Sequence, residues 1–542
     1  MNTVSVAHNS YLAGISVDNI SLGLKRHYPF PAANPGRKYP CRYAVPPVFE
    51  EDWSIQQTNA KQPNIDDGIL NNGNITVEDL KTMPEAGKNS YRTHAIKEGE
   101  GTYGTVYQVI DSSNPTKQLV MKISVANSNF FAEVNALGTL NRKGKTPNVP
   151  IIYDWFVTSQ LPPDFSYWKS VRASVKNSLQ IDESLHDTQR KPYGFIVLEK
   201  ANSGSLSKFY ANHLSSLRPK DTWKVIDSTL FQLLFTAAAL PESNIVHRDI
   251  GGTNIMLTTV SDRHNNWWFF KVGKQLFRIP VPIVKPILID YGSAKMLEMN
   301  CCLKTDFRFT TLRYRAPEMI FLSISPTGPL QPVFTPSADL FSLGMSMLEM
   351  IMGDFTIHKQ AKYDNHPFLR YDPPRLLCQK LKDLCQHLRT IECDPTQPLP
   401  LRNWYSTLRK GFITMDESSL LARYLWGMCY ELGVPSDSTW PGVQQTHIWK
   451  ILNEVIIDRQ ANNHRYPTSE GFLFQRYDKL RNYISDEQLK MICSMLRYNP
   501  KHRPSPTSLL KSEIFDEYRA VESVLSDCTP CWSIAGACSI TW

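Results

Sequence analysis

A carboxylate lies five residues ahead of a carboxamide in Asp249-Ile-Gly-Gly-Thr-Asn254. The acid can orient or deprotonate a hydroxyl, and the amide oxygen can hold a metal that neutralises phosphate charge. Ile245-Val246 leads into this polar turn and Ile255-Met256-Leu257 leads out. Apolar residues on both sides predict a loop held at the mouth of a cleft by two short buried strands. The design recurs downstream at Ile287-Leu-Ile-Asp290-Tyr291-Gly292, an apolar run ending in an acid and a glycine. On residue types alone both stretches also fit ordinary strand-to-turn junctions. A third chemical feature is Lys122, inside the apolar strand Leu119-Val120-Met121-Lys122-Ile123. A cation there is costly unless partnered, and Glu133, in the helical stretch Asn129–Leu137, offers the partner.

The elements that would position these groups can be read in turn. Gly99-Glu100-Gly101-Thr102-Tyr103-Gly104 is followed by Thr105-Val106-Tyr107-Gln108-Val109. In a dinucleotide fold such glycines open a helix, whereas this β-branched, alternating sequence predicts a hairpin between two strands. Ile151–Val157 and Phe195–Glu199 read as further strands, with a long polar insertion at about 158–192 between them. A buried helix through Phe231–Leu240 is ended by Pro241, just before the Asp249 loop. Trp268–Pro280 reads as strand, glycine turn, strand. Leu376, Leu377, Leu381, Leu384, Cys385, Leu388 and Ile391, then Ile448, Ile451, Leu452, Val455 and Ile456, fall at helical spacing and read as core.

In order along residues 97 to 504, these motifs resemble the eukaryotic-type protein kinases. His247 to Asn254 keeps H-R-D-x-x-x-x-N, and Asp290-Tyr291-Gly292 stands for D-F-G with the aromatic ring retained. Thr311 to Glu318 matches T-x-x-Y-x-A-P-E, and Asp339 to Gly344 matches D-x-W-S-x-G with Phe341 for Trp. Asn499 to Pro504 matches the closing motif whose Arg503 pairs with Glu318. The resemblance implies an α+β, two-lobed protein kinase fold: a small β-rich N-lobe and a larger, mainly helical C-lobe, with ATP between them. It further implies that Asp249 takes or orients the proton of the substrate hydroxyl. Asn254 and Asp290 would hold Mg²⁺, and Lys122, set by Glu133, would fix the α- and β-phosphates. Gly99, Glu100, Gly101, Thr102, Tyr103, Gly104 and Val106 would cover the phosphates, with Val120, Leu198, Glu199, Ala201 and Met256 around the adenine. Asp339 would brace the catalytic loop.

The implied activity is transfer of the γ-phosphoryl group of ATP to Ser/Thr hydroxyls of protein substrates. Thr311 carries the Ser/Thr preference. Gly251 departs from the family, because Ser/Thr kinases carry a Lys there; its loss implies a slower enzyme or a cation from elsewhere. The alternative is a pseudokinase serving as a nucleotide-binding or docking scaffold. Arg248 before Asp249 suggests switching by activation-segment phosphorylation, with Thr305 and Thr310 as acceptors. A hairpin between Asn254 and Asp290 resembles haspin-like kinases and kinases of large DNA viruses.

The predicted organisation is an N-terminal extension, 1–90, partly ordered; an N-lobe, 91–199; a C-lobe, 200–520, with insertions near 258–284 and 354–485; and a tail, 521–542. The extension and the helical insertion offer surfaces for a protein partner. At 542 residues, 42% apolar and 20% charged, the chain has ample material for a core. A net charge of +8 without basic runs gives no expectation of specific nucleic-acid binding. Eleven cysteines without framework spacing fit a reducing compartment, and Cys528-x-x-Cys531 lacks the second pair a zinc site needs. No apolar run of membrane-spanning length and no secretory leader is read, so the expectation is a soluble intracellular protein of cytoplasm or nucleus, without a membrane.

Overall fold

The computed structural model describes residues within 91–534, with longer breaks at 159–192, 207–218, 354–365, 407–417, 474–483 and 522–530 and shorter ones between. The N-terminal extension, most of the polar insertion at 158–192, Thr102, Tyr103, Thr305 and Cys528 lie outside the described residues.

Five strands form the first sheet: β1 (Tyr91–Gly101), β2 (Gly104–Asp111), β3 (Leu119–Val125), β4 (Ile152–Thr158) and β5 (Tyr193–Glu199), in the order β1-β2-β3-β5-β4 and antiparallel throughout. The glycine-rich segment joins β1 to β2 as a hairpin, with Gly101 opposite Gly104. Successive side chains point to opposite faces, so each face of β5 has its own role. Phe195 and Val197 join Tyr107, Met121 and Phe156 in an outer apolar layer, where Phe156 and Phe195 stack at 4.7 Å. Ile196 and Leu198 face the main core with helix α1 (Ser128–Lys143). Asn127 starts that helix, its Oδ1 accepting from the Asn129 and Phe130 amides.

The larger lobe is built on α2 (Pro219–Glu242), whose Phe231, Leu234, Phe235 and Ala239 are fully buried. Pro241 sits inside its last turn rather than ending it, and the chain turns at Asn244, which takes a left-handed φ of 58°. The paired strands follow: β6 (Ile245–Val246), β7 (Ile255–Thr259), β8 (Trp267–Val272), β9 (Gln275–Pro280), β10 (Val284–Leu288) and β11 (Lys295–Met296). β7 pairs with β10 and β6 with β11, both antiparallel, so the β8–β9 hairpin is an excursion that returns the chain to its starting point. Next come β12 (Leu303–Lys304), β13 (Val333–Phe334), α3 (Pro336–Gly353), α4 (Arg375–Cys393), α5 (Ser418–Leu432), α6 (His447–Ala461), α7 (Asp486–Met495) and α8 (Pro506–Leu510). The stripes on α4 and α6 are buried at Leu377, Leu381, Leu384, Cys385, Leu388, Ile448, Leu452, Val455 and Ile456. Leu376 is instead exposed, because adjacent helical residues are turned about 100° apart, and Ile391 and Ile451 are half-buried.

The end of the chain departs from the expected tail. β14 (Arg519–Ala520) pairs with β9, and β15 (Cys531–Ile534) pairs parallel with β8, making a four-stranded sheet β14-β9-β8-β15. The reason is apolar. Phe231 of α2 meets Phe270 and Phe277 at 5.3 Å and Phe515 at 5.2 Å, while Trp532 of β15 meets Phe270 at 5.2 Å.

Two buried polar contacts tie the lobe together. Arg503 makes a two-pronged bond to Glu318, Nη1 to Oε1 and Nη2 to Oε2, both at 2.6 Å. The buried, neutral imidazole of His366 bonds through Nε2 to the Arg313 carbonyl at 2.8 Å, and its Nδ1 accepts from the Phe368 amide. Burial pushes this imidazole down to about 3, with Arg313 adding to the effect.

Removing Glu318 as Glu318→Ala leaves a buried guanidinium without its counter-charge, so unfolding in denaturant should show a loss of about 3–5 kcal/mol. For His366, the unfolded chain takes up a proton near its ordinary 6.5 whereas the folded one resists down to about 3. Stability from this group is therefore present above pH 6.5 and falls as pH drops through that window, by up to about 1.4 kcal/mol per pH unit. Chemical denaturation between pH 7 and pH 4 should show a shallower decline in His366→Gln.

Candidate active site

Three segments remote in sequence meet at one ammonium group. Lys122 of β3 donates to both carboxylate oxygens of Glu133 on α1, at 2.9 and 2.7 Å, and to Asp290 Oδ1 at 2.7 Å. Burial alone would push the Lys122 pKa down, but the two carboxylates outweigh it and raise the value, so the ammonium stays charged. Burial likewise works against the Asp290 charge, and the attraction of Lys122 overcomes it, holding that carboxyl below its usual range. Glu133, almost wholly enclosed, is raised by burial against the pull of the same lysine. One lysine facing two acids leaves an excess of negative charge beside the cleft.

Strand pairing brings the second pair of groups together. Asn254 immediately precedes β7 and Asp290 follows β10 by two residues, with Leu288 opposite Ile255 and the Ile289 amide donating to the Asn254 carbonyl at 2.8 Å. Asn254 Nδ2 donates to the Asp249 carbonyl at 2.8 Å and to Asp249 Oδ2 at 3.1 Å. Its amide group is thereby turned so that Oδ1 remains as an acceptor. The other Asp249 oxygen, Oδ1, accepts from the Thr311 amide at 3.1 Å and the Thr311 hydroxyl at 2.9 Å. Burial raises the Asp249 pKa, and the bonds from Thr311 oppose the rise.

The loop carrying Asp249 is fixed from beneath. Asp339 of α3 accepts the His247 and Arg248 amides at 2.7 and 2.8 Å. The His247 ring lies against Tyr291 with centroids 4.6 Å apart. Arg248 and Asp290 both hold left-handed backbone, φ 68° and 63°, which non-glycine residues adopt at a cost of order 1–3 kcal/mol. Such conformations persist where the surroundings over-determine them, as these bonds do.

Arg248 is engaged differently from the sequence expectation. Its Nε donates to the Ser293 carbonyl at 2.6 Å, and its carbonyl accepts from the Thr310 hydroxyl at 2.7 Å. Thr310 is 4% exposed, so the hydroxyl expected to accept a phosphate is instead buried and bonded within the segment. Gly251 also has a neighbour that sequence reasoning missed. A Cβ added there would stand 2.6 Å from Cε2 of Tyr314, whose hydroxyl bonds Glu349 of α3. The ring occupies the space that a lysine stem would need.

Among the remaining predicted residues, Gly99, Glu100 and Gly101 end β1 and Gly104 starts β2, at the hairpin tip. Val106 lies opposite Lys122, and Val120 lies opposite Leu198 in β5. Glu199 ends β5 and Ala201 follows, while Met256 of β7 bridges to Ser205. The segment that follows β5 is tied to β1 by Lys200, whose Nζ bonds Glu98 at 2.7 Å. For a metal, the donor set is a carboxylate and a carboxamide oxygen beside excess negative charge, which fits a hard divalent cation such as Mg²⁺.

The model of the protein kinase domain matches residues 94–515. Human mitogen-activated protein kinase kinase kinase 6 is 26% identical over 303 residues, 55% of this chain and 18% of that protein. A probable serine/threonine-protein kinase of Dictyostelium discoideum, iksA, is 23% identical over 303 residues, 52% of this chain and 26% of that protein. The chain thus spans under a third of the length of either relative. A solved chain from the CAK complex of Chaetomium thermophilum, bound to ATP-gamma-S, overlaps with a TM-score of 0.44 at 17% identity, covering 82% of this chain and 94% of that one. With the family model spanning most of the sequence, over a β-sheet lobe and a helical lobe, the chain belongs to the protein kinase family.

Proposed function

We propose that this protein is an active kinase that transfers the γ-phosphoryl group of ATP to Ser or Thr hydroxyls of protein substrates. The observation that carries the reading is the simultaneous engagement of Lys122 by Glu133 and Asp290. It sets the lysine, the helix glutamate and the acid proposed to bind metal in mutual register. Asp249, oriented by Asn254 and Thr311, accepts the substrate hydroxyl proton as that oxygen bonds to phosphorus and ADP departs. Its raised pKa makes it a stronger base than an exposed carboxylate. Asp290 and the Asn254 amide oxygen would hold Mg²⁺, which supplies charge neutralisation for the phosphates. Lys122 grips the nucleotide phosphates, and the β1–β2 hairpin covers them. Thr311, which the kinase resemblance ties to the Ser/Thr preference, bonds Asp249 through its hydroxyl at 2.9 Å, and this supports the preference.

A scaffold without catalysis is favoured by one observation, Gly251, which removes a cation from the phosphate site. The packing of Tyr314 on that glycine argues that the loop is adapted to the missing side chain rather than damaged by its loss.

Two outcomes follow for transfer of labelled γ-phosphate to a generic protein acceptor. Asp249→Asn and Asp290→Asn should each cut the rate by about 10²–10⁴-fold with the fold intact by circular dichroism; nucleotide binding without transfer by the wild type would give the scaffold reading instead. Gly251→Lys should lower the rate by about tenfold or more, because the new stem displaces Tyr314 and with it the Thr311 segment. A rate increase would mean that the missing cation is the limiting element.

A further inference from the structure

The bond between Lys122 and Glu133 depends on how closely α1 approaches the first sheet, and that distance is set one turn away. Phe130 lies three residues before Glu133, so the two side chains share a helix face. Its ring lies directly on Gly194 of β5. A Cβ added to Gly194 would stand 2.5 Å from Cδ2, 2.5 Å from Cε2 and 2.8 Å from Cγ of that ring, closer than carbon atoms can pack. Gly194 takes an ordinary strand position, opposite Ser124 of β3 and Val157 of β4, so no backbone requirement calls for glycine there. The glycine is needed for space.

The ring has little room to give way. Phe131 meets it edge-on at 5.0 Å and Trp155 of β4 at 6.3 Å, while Trp155 also meets Phe131 at 6.3 Å. Phe130 and Phe131 are each 2% exposed. On the same inner face of β5, two residues along, Ile196 lies opposite Lys122. The aromatic contact and the ion pair are thus consecutive attachments of one helix to one sheet face.

We infer that Gly194 is a positioning residue: by letting the Phe130 ring seat on the strand backbone, it sets the depth of α1 at which Glu133 reaches Lys122. A side chain at 194 lifts the ring and the first turns of α1 together, and bonds of 2.7 and 2.9 Å do not survive a shift of about 1 Å. The helix is held in its working position by the chain's own aromatic residues. As far as it concerns rate, the inference rests on the activity proposed above.

The test uses the full chain and a double-mutant cycle. Phosphate transfer is measured for wild type, Gly194→Ala, Glu133→Gln and the pair, and for Gly194→Ala with and without Phe130→Leu; amide exchange across residues 128–137 is followed in each. Gly194→Ala should lose about tenfold to a hundredfold in kcat and speed exchange in α1. Adding it to Glu133→Gln should change the rate less than about twofold, because the route through Glu133 is already cut. Phe130→Leu should restore much of the loss by opening space above the strand. An unchanged rate in Gly194→Ala, or an equal loss in the Glu133→Gln background, overturns the inference. If the wild type transfers no phosphate, the proposed activity has failed on its own, and amide exchange decides: unaltered protection of α1 in Gly194→Ala overturns the positioning role.

Discussion

A single buried ammonium holds this molecule in its working geometry. Lys122 belongs to a strand, Glu133 to a helix and Asp290 to a turn in the other lobe, 168 residues further along the chain. None of the three tolerates its surroundings alone, since an unpaired charge in such a place costs several kcal/mol. Together they satisfy one another, and each forces the element behind it into position. The first sheet must carry the lysine inward, α1 must lie close against that sheet, and the β7–β10 pair must return the chain beside the Asp249 loop. The excess negative charge left over suits the divalent cation proposed to bind there.

The candidate site was legible as a set of spacings. Asp249, Asn254, Asp290 and Lys122 each fit an ordinary strand or turn when taken alone, and their order along the chain, with the resemblance to protein kinases, singled them out; the structure brings Lys122, Glu133 and Asp290 into contact. The two-lobed architecture came with the resemblance to protein kinases; hydrophobic period added the hairpin, through the alternation in β2, and the core stripes on α4 and α6. The Arg503–Glu318 pair, 185 residues apart, was likewise implied by the resemblance, and the structure forms it.

What stayed hidden were contacts whose partners carry no local signal. Nothing near Gly251 says that Tyr314 covers it, and nothing near Gly194 says that Phe130 sits on it. Thr310 was read as a phosphate acceptor from the Arg248 that precedes Asp249, yet its hydroxyl is turned inward to the Arg248 carbonyl. The last strand was missed for a similar reason. Cys531-Trp-Ser-Ile534 is too short to show a period, and only the inserted hairpin gives it something to pair with. Glycine in a strand and a threonine in a loop are among the least informative residues in a linear reading, and here each is fixed by a distant aromatic ring or carbonyl.

The parallel pairing of β15 with β8 has a temporal consequence. Residues 267–272 emerge from a ribosome some 260 residues before 531–534 do, which at about 5–20 residues per second is an interval of tens of seconds. Throughout it the β8 edge, with Trp268 and Phe270 beside it, presents unpaired backbone and bare aromatic surface. An open apolar edge of that kind attracts other strands. The newborn chain therefore passes through a stage in which the β8–β9 hairpin can form while this edge is still unsealed, and the seal arrives only with residues 531–534.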